Sequence, residues 1–226
     1  MGKSGVIFVD GSVYDVDKHF PLLPAKVALS MSGGVESTLL LAILVQRYGP
    51  ENVKVFSGKF DGRRHWESTH PQYIAGLMGV KQTYAIPIAN YHMSPKDNWN
   101  MFIQAKHTYD FDYWFNGTNA KLFSSRNVTK PEEVDKIKQQ GYMVPFVWLE
   151  KWQTIELYGL LGFNDLLIKS HSCTINPPEH NHCGECPCCM ERIYGFHQLG
   201  KFDPTTYNIP YAQALRNTVN FIEETK

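Results

Sequence analysis

Apolar residues in this chain fall into short strand-like runs separated by longer segments with helical spacing. Val27 to Met31 is a short, mostly apolar run that stops at Ser32-Gly33-Gly34. From Ser37, the residues Leu39, Leu40, Leu41, Ile43 and Leu44 continue as an apolar helix that ends at Gly49-Pro50. Val53 to Phe60 and Thr83 to Ile88 read as further strands, and between them Tyr73, Ile74, Leu77 and Met78 recur at helical spacing up to Gly79. A helix around Trp99 to Tyr109 precedes a strand at Tyr113 to Phe115, which runs out into Asn116-Gly117-Thr118-Asn119. Residues 131–140 and 150–161 have helical patterns, and an amphipathic helix follows Pro210. Ahead of all this, Val6, Phe8 and Val13 flank a turn at Asp10-Gly11-Ser12, a small hairpin within 5–17 that Pro21-Leu22-Leu23-Pro24 separates from the rest. Strands alternating with helices through the first 120 residues predict an α/β fold, a parallel sheet wound by helices. Right-handed crossovers then bring the C-terminal ends of the strands, and any ligand, to one edge.

Composition narrows the partners more than the fold. Acidic and basic residues balance at 22 each, so charge favours neither nucleic acid nor a membrane surface, and a small molecule is the expected ligand. No apolar run approaches the ~18 residues of a membrane span. The start, Met1-Gly2-Lys3-Ser4-Gly5 followed by Val6 to Val9, offers no long apolar signal core, and cytoplasm is the expected compartment. In a reducing compartment, clustered cysteines read as metal ligands before disulfides.

Two stretches carry chemistry. The first is Ser30-Met31-Ser32-Gly33-Gly34-Val35-Glu36-Ser37-Thr38, between a buried strand and a helix N-terminus. Two glycines let backbone N–H groups approach phosphate oxygens, and the helix behind adds unsatisfied donors and the positive end of its dipole. Ser32, Ser37 and Thr38 offer hydroxyl donors, and the loop lacks the Gly-Lys-Ser/Thr of a Walker A sequence. The second places Cys173 ahead of Cys183-Gly184-Glu185-Cys186-Pro187-Cys188-Cys189. Cys173, Cys183, Cys186 and Cys189 supply four thiolates suited to a closed, structural Zn2+ site. Cys188 is left over, with His171, His180 and His182 as substitute ligands; a redox pair and an iron–sulfur cluster are the competing chemistries.

The pattern Ser-Gly-Gly-x-acid-Ser at Ser32 to Ser37 resembles the PP-loop of ATP pyrophosphatases, with Glu36 where that loop has Asp. Phe60-Asp61-Gly62-Arg63-Arg64-His65-Trp66-Glu67 resembles the Tyr-Gly-Gln-Arg-His-x-x-Glu signature of the 7-cyano-7-deazaguanine synthase family: Gly62, Arg64 and His65 match in register, and Glu67 falls one place early. Pro145-Phe146-Val147-Trp148-Leu149-Glu150-Lys151 is similar to that family's Pro-Leu-x-x-x-x-Lys, and Asn116-Gly117-Thr118-Asn119 sits at its Gly-x-Asn turn. The cysteine segment, followed by Glu191-Arg192 and Gly195-Phe196, fits the same pattern, so the resemblance spans about residues 25 to 200.

This resemblance implies a Rossmann-like PP-loop domain with a zinc-bearing lobe, usually as a homodimer, using ATP and Mg2+. The chain then divides into a hairpin extension (1–24), a nucleotide-binding α/β domain (25–165), a zinc lobe (166–200) and a C-terminal helix (201–226). The implied reaction converts 7-carboxy-7-deazaguanine and ammonia into a nitrile by way of an acyl-adenylate and an amide. The implied roles are nucleotide binding for Ser30, Ser32, Gly33, Gly34, Glu36, Ser37 and Thr38, charge stabilisation for Arg64, His65 and Lys151, and substrate binding for Gly117 and Asn119. Three features depart from the family: Glu36, the stretch Ala120 to Arg126 in place of Tyr-Pro-Asp-Cys-Arg, and Trp99-Asn100 in place of Arg-Asn. They leave two alternatives, a diverged PP-loop enzyme adenylating another acid or base, and an inactive nucleotide-binding relative. A thiolase would need a cysteine pair outside the cluster, yet every cysteine lies at 173 or later, and a glutamine-dependent amidotransferase would need a further domain.

Overall fold

A computed structural model describes residues 5–21, 24–60, 66–88, 95–119 and 131–224. The chain opens with an antiparallel hairpin, β1 (Gly5–Ile7) and β2 (Val13–Asp15), followed by a single-turn helix α1 (Val16–His19). The hairpin is fastened to the body through buried Tyr14, whose hydroxyl donates to the Pro145 carbonyl at 3.1 Å, and through the Val9 N–H, which donates to Glu156.

Five parallel strands form the central sheet: β3 (Val27–Ser30), β4 (Val53–Phe60), β5 (Gln82–Ile88), β6 (Tyr113–Asn116) and β7 (Tyr142–Met143), in the spatial order β5-β4-β3-β6-β7. Three helices join them in turn: α2 (Val35–Tyr48), α3 (Trp66–Leu77) and α4 (Pro95–Thr108); α5 (Pro131–Gln139) lies ahead of β7. The chain therefore builds outward from β3 through β4 to β5, then returns to the other side of β3 for β6 and β7. Successive strand residues face opposite layers: Val27, Leu29 and Phe115 pack with α2, while Ala28, Trp114 and Phe56 pack with Met101, Phe102 and Ala105 of α4. Both faces of the central strand β3 are covered, which is why Val27, Ala28 and Leu29 read as a continuous apolar run rather than an alternating one. Leu39 to Leu44 of α2 are all buried, so that helix is enclosed rather than amphipathic.

After the sheet come α6 (Lys151–Leu160), α7 (Asn164–Lys169), α8 (Pro187–Gln198) and α9 (Tyr211–Glu224). Ala214, Thr218 and Ile222 repeat every fourth residue and form the buried stripe of α9, which packs on α8. A charged knot holds this region together. Arg192 of α8 is fully buried; its guanidinium donates to Asp203 at 2.8 and 3.1 Å, to the Ser170 hydroxyl at 2.8 Å and to the Leu167 carbonyl at 3.3 Å. Tyr207 adds a 2.6 Å bond to the same carboxylate. Burial pushes the Asp203 pKa up, yet the guanidinium outweighs it and holds the carboxyl below its ordinary range. Removing one partner of such a pair strands the other charge, so Asp203→Ala should cost about 3–5 kcal/mol and lower the melting temperature by roughly 10 °C. A change in urea-unfolding free energy under about 0.5 kcal/mol, the scatter of ordinary surface changes, would contradict this buried pairing.

Candidate active site

Where a parallel sheet reverses its winding, the loops after the two neighbouring strands diverge to opposite faces and leave a crevice. Here the reversal lies between β3 and β6. Ser30 and Asn116 are register partners at the last rung, so residues 31–34 and 117–119 leave the sheet side by side. A cavity of about 430 Å³ opens there, lined by Ser30, Ser32, Gly34, Glu36 and Ser37 on one side and Asn116 to Asn119 on the other.

The loop after β3 is built to present its backbone. Gly33 has φ +80°, and a methyl group on it would stand 2.6 Å from Cδ2 of His70, so conformation and space both require glycine. The N–H groups of Ser32 and Gly33 donate to Oγ of Ser37 at 3.3 and 3.1 Å, and Gly34 N–H donates to Oγ of Ser32 at 3.3 Å. These are long, neutral bonds; an anion making charge-assisted bonds of about twice the strength can replace them. Gly34 caps α2, so the first-turn N–H groups of that helix point toward the same space. The helix start is pinned from behind by buried Tyr158, whose hydroxyl donates to the Val35 carbonyl at 2.6 Å. Gly117 lets the β6 turn pass close by, since a Cβ there would lie 3.1 Å from Glu36 and from Ser37 N. Thr118 N–H donates to Oδ1 of Asn116 at 2.9 Å, which closes that turn.

Next to the loop is a compact charge cluster. Oε1 of Glu36 accepts from Nζ of Lys151 and from Nδ2 of Asn119, the latter at 2.9 Å. Lys151 also lies 3.5 Å from Oε2 of Glu191, and all three charged side chains are largely buried. Burial pulls the Lys151 pKa down, but the Glu36 and Glu191 carboxylates outweigh it and hold the ammonium above its ordinary value. Lys151 is the first residue of α6, which starts at a capping box between Glu150 and Gln153. Gly195 of α8 allows α6 to approach closely, because a Cβ there would lie 2.9 Å from Cγ of Lys151.

Most of the residues expected from the sequence thus meet in one cavity: Ser30, Ser32, Gly34, Glu36, Ser37, Gly117, Asn119 and Lys151 line it, and Gly33 shapes the loop behind. Thr38 does not join them. It is fully buried one turn into α2, its side chain in the core and its N–H donating to the Gly34 carbonyl. Arg64 and His65 lie outside the described residues. Trp99, which stands in place of the family's Arg, packs on Phe102 and Tyr142; one residue earlier, Asn98 enters the cavity and accepts from the Ser30 hydroxyl at 2.8 Å. His70 and Glu191 also line the cavity without a sequence pattern having singled them out as site residues.

The four cysteines come together as their spacing predicts. The sulfurs of Cys173, Cys183, Cys186 and Cys189 lie within 4.8 Å of one another, all buried. Cys183 and Cys189 are 3.9 Å apart, close to the roughly 3.8 Å edge of a tetrahedron with 2.3 Å metal–sulfur bonds. Backbone N–H groups of Asn176 and Cys186 donate to the Cys173 and Cys183 sulfurs at 3.2 Å, bonds that favour the thiolate form a metal needs. The donor set fits a metal ion. Two of the three candidate substitutes are engaged elsewhere: Nε2 of His182 accepts from Ser172 N–H, and that of His171 pairs with the Asn176 carbonyl. Cys188 is not one of the four; it packs against the cluster and lines the cavity. The cysteine segment also braces the loop, because His171 N–H donates to the Gly33 carbonyl at 2.8 Å.

Comparison with known proteins divides the chain in two. Residues 122–200 match the family model of the queuosine biosynthesis protein QueC, and residues 24–110 match that of asparagine synthase. Among solved structures, NMN synthetase from Francisella tularensis is similar at 15% identity and a TM-score of 0.45, over 89% of this chain and 85% of that one. The U34-tRNA thiolase NcsA from Methanococcus maripaludis, solved with its 4Fe-4S cluster, is similar at 13% identity and 0.43, over 91% and 74%. The NH3-dependent NAD synthetase from Campylobacter jejuni follows at 13% and 0.41, over 88% and 84%.

Proposed function

We propose that this chain, a QueC-like PP-loop ATP pyrophosphatase, is an ATP-dependent carbon–nitrogen ligase that converts 7-carboxy-7-deazaguanine and ammonia to the corresponding nitrile. The two family matches support ATP-dependent adenylation; the acid and the nitrile product are the finer part of the proposal. The observation that carries it is the crevice itself, where a glycine loop, a helix N-terminus and the Glu36–Lys151 pair face one cavity at the reversal of the sheet.

In this reading the N–H groups of Ser32 to Ser37 hold the two terminal phosphoryl groups. An oxygen of the acid attacks the α-phosphorus, pyrophosphate leaves, and ammonia displaces AMP to give the amide. The amide oxygen is then adenylated by a second ATP, and loss of AMP leaves the nitrile. Each oxygen of the acid departs with one AMP, so no nucleophilic side chain is required. The protein contributes position and charge. Lys151 sits at the cavity to stabilise charge at the reacting acyl or phosphoryl oxygens, Asn119 orients Glu36, and Glu36 would hold Mg2+, which neutralises phosphate charge when bound. Arg64 and His65 are assigned to the same charge by resemblance alone. The four cysteines would hold Zn2+ in a closed site that folds the lobe and takes no part in the chemistry.

Incubation with ATP, ammonia and the acid should release two AMP and two pyrophosphate per nitrile, with about one zinc per chain by elemental analysis, as a closed site of four thiolates requires. ADP and phosphate in place of AMP would reject the mechanism. A second reading, adenylation of a different acid, is favoured by the departures from the family's pattern at Glu36, which lines the cavity, and at Trp99-Asn100. AMP formed with other acids but not this one would select it.

A further inference from the structure

His70 lies on α3 beside the phosphate loop, with its Cδ2 against Gly33, and it lines the same cavity as Ser32, Gly34 and Ser37. Nε2 of the ring is buried with no hydrogen-bond partner among the described residues, and the Lys169 backbone lies close enough to favour the protonated ring. A buried polar atom without a partner is uncommon, and its position beside an anion-binding loop indicates which partner is missing.

We propose that Nε2 of His70 takes up a proton when a polyphosphate enters the loop and donates it to a phosphate oxygen. A protonated imidazole carries a hydrogen on both ring nitrogens, so Nε2 then meets a phosphate oxygen as a donor. The groups around the ring agree with a charge that appears only on binding. Burial, then His171 at 5.8 Å on the segment after α7, hold the pKa down to about 4, while the Lys169 carbonyl and Glu179 oppose them. Tyr73 and Glu67 flank it on α3, and Glu36 of α2 faces the same cavity. A bound polyphosphate adds several further negative charges beside the ring, which raises a neighbouring imidazole by about 1–3 units. The hydrogen bond then strengthens as the departing pyrophosphate gains charge. This assignment rests on residues 31–37 being the phosphate loop of the proposed ligase.

The test is the imidazole C–H resonance of His70 in the full chain, assigned by its loss in His70→Gln and titrated with and without inorganic pyrophosphate. The expected result is a midpoint that rises by at least about two units on saturation. In parallel, His70→Phe should weaken pyrophosphate binding about 10- to 100-fold by calorimetry, and His70→Gln, whose amide can still donate, should recover much of it. Pyrophosphate bound with an unmoved midpoint would overturn the proposal and leave the ligase reading intact. A moved midpoint in a chain that never releases AMP would keep the proposal and remove the ligase reading. No pyrophosphate binding at all would overturn both.

Discussion

Lys151→Met should abolish most turnover while leaving the chain folded. Lys151 is the ammonium shared by Glu36 and Glu191 at the cavity, so its loss removes a positive charge that lines the cavity beside the loop. Losing one preorganised charge-stabilising donor costs about 10²–10³ in kcat. It also leaves two carboxylates largely buried without their counter-ion, a change worth about 3–5 kcal/mol if both stay ionised. Protonation of one carboxylate relieves part of that cost, so the stability loss should grow with rising pH while the catalytic loss stays. AMP release under saturating ATP, set beside urea unfolding at two pH values, separates the two effects. Wild-type turnover in Lys151→Met would remove this residue from the mechanism.

The second large effect is removal of the metal. Structural Zn2+ contributes on the order of 10–16 kcal/mol in small zinc-dependent peptides, comparable with the roughly 5–15 kcal/mol that holds an entire domain folded. Cys186→Ser, or exposure to a strong chelator, should therefore unfold the segment from Cys173 to Cys189 and loosen α8, whose N-cap is Cys186. The damage should reach the nucleotide. His171 N–H holds the Gly33 carbonyl, so a disordered lobe releases the phosphate loop and weakens pyrophosphate binding along with stability. Calorimetry on chelated and zinc-restored protein measures this coupling; unchanged pyrophosphate affinity in the metal-free chain would contradict it.

The sheet and its helices were legible because each element was both apolar enough and long enough to show its period. Val53 to Phe60 is a strand over the very span that its pattern predicts, and α2 starts only two residues before the expected Ser37. Shorter elements escaped. β7 is two residues long, and α7 is a six-residue helix, too brief for a periodic signal. α3 runs back past Pro71 to Trp66, beyond the apolar spacing that identified it, and this hid His70, whose place at the loop depends on that extra length. Local motifs revealed the loop and the cysteines because their ligating atoms are close in sequence. Glu191 and Asn98 remained unassigned because tertiary packing brings them to the cavity: Glu191 comes in on α8 as that helix crosses α6 at Gly195, and Asn98 on the first turn of α4.

The account depends on an acid oxygen attacking the α-phosphorus of a nucleotide gripped at residues 32–37. Running the reaction with acid carrying 18O in both carboxylate positions and weighing the AMP tests this directly. The account predicts one 18O in every AMP released and none in pyrophosphate. Label appearing in pyrophosphate or in free phosphate, or AMP formed without label, would contradict it.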